Sequence, residues 1–127
     1  MAMFERSLFD KPIARTIQNM PSGVSSDILT GTFFFVVPWN KLGYLKRIEA
    51  HGPSGVTIEI WDDFIDPVTE VSGFVKRKDL MIPSDPGQAL VDGQLVEDID
   101  EDIPLLQNIY AFPSLSGVDL TIAIRTM

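Results

Sequence analysis

The residues able to carry chemistry are few. His51 is the one imidazole, and there is no cysteine. A hydrolytic triad needs a hydroxyl and a carboxylate arranged about a histidine. Ser54 and Ser84 lack the G-x-S-x-G turn that exposes a nucleophile. His51 precedes Gly52-Pro53 and reads as a turn or surface histidine. Asp98, Asp100 and Asp102 alternate as calcium-loop ligands do, but that loop also needs Gly at its sixth position and Glu at its twelfth. Counted from Asp98, those positions are Ile103 and Ile109. The three aspartates are therefore weak candidate metal ligands. A solvated acidic edge, whose charges discourage unwanted strand pairing, is the plainer reading.

Trp61-Asp62-Asp63-Phe64, with Asp66 behind it, combines rings and carboxylates. Proteins stack on sugars and hydrogen-bond them with such groups, and paired carboxylates also cleave glycosidic bonds. Adjacent strand residues point to opposite faces, so Asp62 and Asp63 do not flank one bond. Trp39, Trp61, Asp62 and Asp63 are expected at a ligand or an interface, with Tyr44 and Tyr110 as further stacking surface. Trp and Tyr are equally at home in interfaces and at core edges. Neither the Walker pattern nor G-x-G-x-x-G occurs. No catalytic set and no cofactor are expected.

Charge narrows the classes further. Residues 1–78 hold nine basic and nine acidic groups, whereas 79–127 hold nine acidic groups and Arg125, so the net charge of −8 lies in the last part. A pI near 4.4 speaks against nucleic acid, whose phosphates need a basic surface. The acidic run 97–102 and the basic run Lys76-Arg77-Lys78 can pair within one molecule or between neighbours; Lys46-Arg47 is the other basic pair. Such asymmetry steers association. No apolar run reaches the roughly 18 residues of a membrane span. Met1 to Asp10 contains Glu5 and Asp10 and lacks a signal-peptide core, so a cytosol-like compartment is expected.

The elements that must position these residues are strands. Val56–Ile60 and Val118–Ile124 alternate apolar and polar, the mark of half-buried strands. Thr32–Val37 is nearly all apolar and predicts a central strand. Weaker segments are Tyr44–Ala50, Val71–Val75, Ala89–Val96 and Leu105–Phe112. Turn residues fall between them, as in Gly52-Pro-Ser-Gly55 and Ser84-Asp-Pro-Gly87. The length of 127 residues and the 45% hydrophobic content suit one core. An all-β, antiparallel β-sandwich follows, jelly-roll-like or immunoglobulin-like, over residues 28–127.

Residues 1–27 read differently. Ile13, Ile17 and Met20 have helical spacing, with Asp10 as N-cap, but an extended course fits equally. Phe4, Leu8, Phe9, Ile13, Ile17 and Met20 are expected either as anchors of an extended or partly helical arm on another subunit, or as part of the sandwich itself.

The arm, the entry Gly31-Thr-Phe-Phe-Phe-Val-Val-Pro38 and the block Leu45–Asp62 resemble small virion accessory proteins of tailed bacteriophages. These are β-sandwich decoration (cement) proteins of the capsid, or tail and baseplate modules. Similar blocks occur in jelly-roll sugar-binding modules. The resemblance implies a non-enzymatic protein, present in many copies as a homo-oligomer. It would contact the major capsid protein or other virion subunits, and be assembled in the host cytoplasm, without nucleic acid or membrane as partner. A carbohydrate-binding module is the competing expectation.

Overall fold

The strongest alternation in the chain builds its centre. Val118, Leu120, Ile122 and Ile124 are all buried, and the strand they form pairs on both sides. The computed structural model describes residues 11–38, 41–66, 68–83, 92–99 and 101–126. Its strands are β1 (Lys11–Met20), β2 (Thr32–Val36), β3 (Gly43–Pro53), β4 (Thr57–Ile65), β5 (Ser72–Met81), β6 (Asp92–Asp98), β7 (Pro104–Leu105), β8 (Asn108–Pro113) and β9 (Val118–Thr126). One sheet runs β1-β9-β3-β6, with β7 also on β3; the other runs β2-β8-β4-β5. Every pairing is antiparallel. With two-residue β7 set aside, the first strand pairs the last and the second pairs the one before it. That is the order of a jelly roll. The two sheets meet over Ile48, Leu120, Ile122 and Leu45 from one side and Phe34, Ile58, Ile60 and Ile109 from the other.

The expected arm is corrected from Lys11 onward. Residues 11–20 are the strand β1, hydrogen-bonded to β9 within the same molecule. Spacing of four is even, so Ile13 and Ile17 share a strand face as readily as a helix face. They stand opposite the buried Ile124 and Leu120 and pack on the core. Met20 has the other parity, but the register shifts after Ile17 and Asn19 takes φ 53°, which turns Met20 inward to full burial. Ile13, Ile17 and Met20 thus pack on this chain's own core. Phe4, Leu8 and Phe9 lie outside the described residues.

Two further expectations change. Thr32–Val37 is an edge strand rather than a central one. A register shift between Phe33 and Phe35 sends both Phe34 and Phe35 to the core and leaves Phe33 and Val36 outside, so the run is apolar because both its faces are. Leu105–Phe112 is two strands in different sheets. The chain crosses the sandwich at Leu106 and Gln107, between β7 on β3 and β8 on β4.

Candidate functional site

Strand parity decides what each sheet shows to solvent. In β8, Ile109 and Ala111 point into the core, so Asn108, Tyr110 and Phe112 point out. Register then lays neighbours beside them. Tyr110 is opposite Phe33 of β2 and Trp61 of β4, and Trp61 is opposite Lys76 of β5. In the next row Asn108 lies between Val36 and Asp63, and Asp63 faces Phe74. On the other side Phe112 lies beside Glu59.

The rings touch in sequence across this face. Centroids are 5.5 Å apart for Phe33–Tyr110, 6.5 Å for Tyr110–Phe112 and 6.1 Å for Phe112–Phe74. Trp61 stacks on Phe74 at 4.5 Å with planes 22° apart. Edge and offset contacts of this kind add to simple area burial. Its indole N–H donates to Glu59 Oε1 at 2.7 Å, which fixes both groups. At the rim, Lys76 Nζ lies 2.9 Å from Asp79; that hydrogen bond, then the charges of Asp79 and Glu59, hold the ammonium above its usual range. Phe33 keeps 39% of its surface exposed, Val36 52% and Ile65, beyond Asp63 on the same side of β4, 59%. An antiparallel sheet ordinarily turns a polar face to water. This one turns an aromatic face.

Beside the rings lies an open cleft of about 540 Å³. Its floor and one wall are Phe112, Glu59, Thr57 and Ser114; its other wall is the segment 22–26 with Thr30. The walls are tied by backbone. Gly23 N–H donates to Pro113 O at 2.9 Å, Ser114 N–H to Thr57 O at 2.8 Å, and Thr57 N–H to Ser114 Oγ at 2.9 Å. Gly31 lets this segment close over the sheet, since a Cβ there would stand 2.6 Å from the Phe112 ring. Phe112 is consequently 3% exposed although it is on the outer side.

The expected carboxylates part company. Asp63 belongs to the outer face. Asp62 is fully buried and satisfied: Oδ2 accepts from Arg77 Nη2 at 2.9 Å, Arg77 Nε at 3.2 Å and Leu106 N–H at 2.7 Å, and Oδ1 from Gln107 N–H at 3.0 Å. Those two amides are the crossing point between the sheets. Asp62 is thus a latch and cannot meet a ligand, which corrects its place among the candidate contact residues. The Arg77 guanidinium also lies 6.0 Å from the Phe64 ring centroid. Gly73 leaves room for that ring, which a Cβ would strike.

Other candidates are placed as follows. Trp39 and Asp100 lie outside the described residues. Asp98 accepts from Arg47 Nη1 at 2.8 Å, and Asp102 is exposed. Among the described residues no group of three or more His, Cys, Asp and Glu could hold a metal ion. His51 Nδ1 is 4.0 Å from Asp119 on the exposed face of the other sheet. The acidic and basic runs meet within the molecule, Lys78 Nζ lying 3.0 Å from Glu97 Oε1. Among the described residues no helix is long and apolar enough to cross a membrane. Sequence reasoning named Trp61 and Tyr110 but missed Phe33, Phe74, Phe112 and Glu59. For Phe112 the signal was an aromatic residue at the parity opposite the core in β8, visible only once Ile109 and Ala111 are known to face inward; Phe33, Phe74 and Glu59 come to this face through strand register.

No family model matches the chain, and no solved structure matches it. A segment is similar to glucanase inhibitor protein 3 of Phytophthora infestans, 29% identical over 77 residues. That match covers 55% of this chain and 30% of the relative's length.

Proposed function

We propose that the protein is a non-enzymatic structural component of a tailed-bacteriophage virion, in first place a capsid decoration (cement) protein. In this reading it seats the outer face of β2-β8-β4-β5 on the major capsid protein or another virion subunit, as a homo-oligomer assembled in the host cytoplasm. One observation carries the contact: contiguous rings on the water side of a sheet, bordered by the exposed Phe33, Val36 and Ile65. Exposed apolar patches of this kind mark interaction surfaces, and aromatic side chains dominate the energy of such contacts. The virion setting comes from the resemblance of the sequence. The likeness to a protein named as a glucanase inhibitor spans too little of either chain to supply a function.

Light scattering of the purified chain, and co-sedimentation with the particle fraction of its source, test the reading. The wild type is expected to be an oligomer or to sediment with particles. Phe33→Asp with Val36→Asp, both on an exposed edge strand, is expected to abolish this while circular dichroism stays unchanged. A wild-type monomer that ignores particles overturns the reading; undiminished attachment of the double variant removes the face as its contact. Sedimentation with tails rather than capsids would move the protein to a tail or baseplate position. Deleting residues 1–27 is not a clean test, because it removes β1 and Met20.

A further inference from the structure

The cleft next to the aromatic face has a chemistry of its own. Its lining offers the hydroxyls of Ser25, Ser26, Thr57 and Ser114, the carboxylate of Glu59 and the edge of Phe112. Hydroxyls both donate and accept, whereas a carboxylate accepts on two oxygens. Trp61 occupies Oε1 of Glu59. Oε2, and the hydroxyls of Ser25 and Ser26, make no hydrogen bond among the described residues. The lining contains no Lys, Arg or His, and the chain carries a net charge of −8. Phosphates and carboxylates are disfavoured there by like charge. The volume of about 540 Å³ falls within the roughly 300–1,000 Å³ of small-molecule sites. The walls are held by the backbone bonds of Gly23, Thr57 and Ser114, so the site needs little ordering on binding.

We propose that this cleft binds a neutral saccharide, with Glu59 Oε2 accepting hydrogen bonds from adjacent ring hydroxyls and the serine hydroxyls of the 22–26 segment completing the shell. A polyol presents donors and acceptors on neighbouring carbons, which is the pattern that a carboxylate among hydroxyls matches. The covered edge of Phe112 only bounds the cleft, and Trp61 keeps Glu59 from swinging away. The assignment is independent of the virion reading: it uses the cleft, not the exposed rings of Phe33 and Tyr110.

The test is an amide and indole NMR titration of the full chain with glucose, galactose, mannose and N-acetylglucosamine, each to millimolar concentration, and with choline and inorganic phosphate. At least one sugar is expected to shift Gly23, Thr57, Ser114 and the Trp61 indole N–H together. Glu59→Gln keeps an acceptor for Trp61 but loses the charge, and is expected to weaken binding about tenfold, the loss of one charge-assisted hydrogen bond. Ser26→Trp, on an exposed position, is expected to block the cleft without changing the dispersion of the spectrum. No shift with any sugar overturns the proposal. So do shifts that both variants leave intact, or shifts that choline or phosphate produces and the sugars do not.

Discussion

The outer faces of the two sheets are built alike and finished differently. On β1-β9-β3-β6, side chains pair with one another: Arg47 with Glu49 and Asp98, each at 2.8 Å, and Thr16 with Thr121 at 2.7 Å. Among the described residues, Val96 of β6, opposite Glu49, is the large apolar side chain left exposed there. On β2-β8-β4-β5, Phe33, Tyr110, Trp61 and Phe74 occupy the same kind of outward position. Polar ladders at a surface contribute little, because water competes for every bond. Rings at a surface keep a gain in reserve that is realised only when something covers them. The first sheet is thus finished mainly with paired polar groups and the second with rings.

The largest test bears on how the aromatic sheet is tied to the rest. Asp62→Ala leaves Arg77 and the amides of Leu106 and Gln107 without their acceptor. A loss of about 3–5 kcal/mol in denaturant unfolding is expected, the usual cost of orphaning a buried charge. A loss under about 1 kcal/mol would mean that water replaces the carboxylate and that the latch is dispensable. A smaller effect separates the faces directly. Trp61→Ala removes the stack on Phe74 and the bond to Glu59, and is expected to cost about 1–2 kcal/mol. Arg47→Ala, on the polar face, is expected to leave the unfolding midpoint where it is. Equal losses in the two variants would erase the distinction.

The smallest effect lies at the tip of the β4–β5 hairpin. Asp66 Oδ1 accepts the Val68 N–H at 2.8 Å and the Thr69 N–H at 3.2 Å. These bonds, that from Val68 foremost, hold its carboxyl below the ordinary 3.8. A depressed carboxyl contributes its stabilisation above the ordinary value and loses it as pH falls through the lower folded one. The Val68 amide shift should therefore titrate with a midpoint below 3.8. A midpoint at or above it would show that the turn does not need the charge.

Much of this was legible in the residues. The alternation of Val118–Ile124 fixed an inward and an outward face before any partner strand was known, because the strand period is two. Turn residues at Gly52–Gly55 marked the right boundary between β3 and β4. The candidate site was legible only in part. Trp61 and Tyr110 stood out by type, but Phe33 hid in a run that looked like core. Asp62 and Asp63 were expected on opposite faces, but which of them faces inward, and so becomes the latch, was settled by the sheet packing.

By itself the sequence determined the class of structure: an all-β chain, the extents of its best-alternating strands and the separation of its charge. Local patterns carry that information, since side-chain direction follows from backbone period. Tertiary structure alone decided that residues 11–20 belong to the sandwich. It also made Thr32–Val36 an edge, paired Lys78 with Glu97, and gathered five rings from β2, β4, β5 and β8 onto one face. Each of these depends on which strands become neighbours and in what register. Those are contacts between segments far apart in the chain, and no local period encodes them.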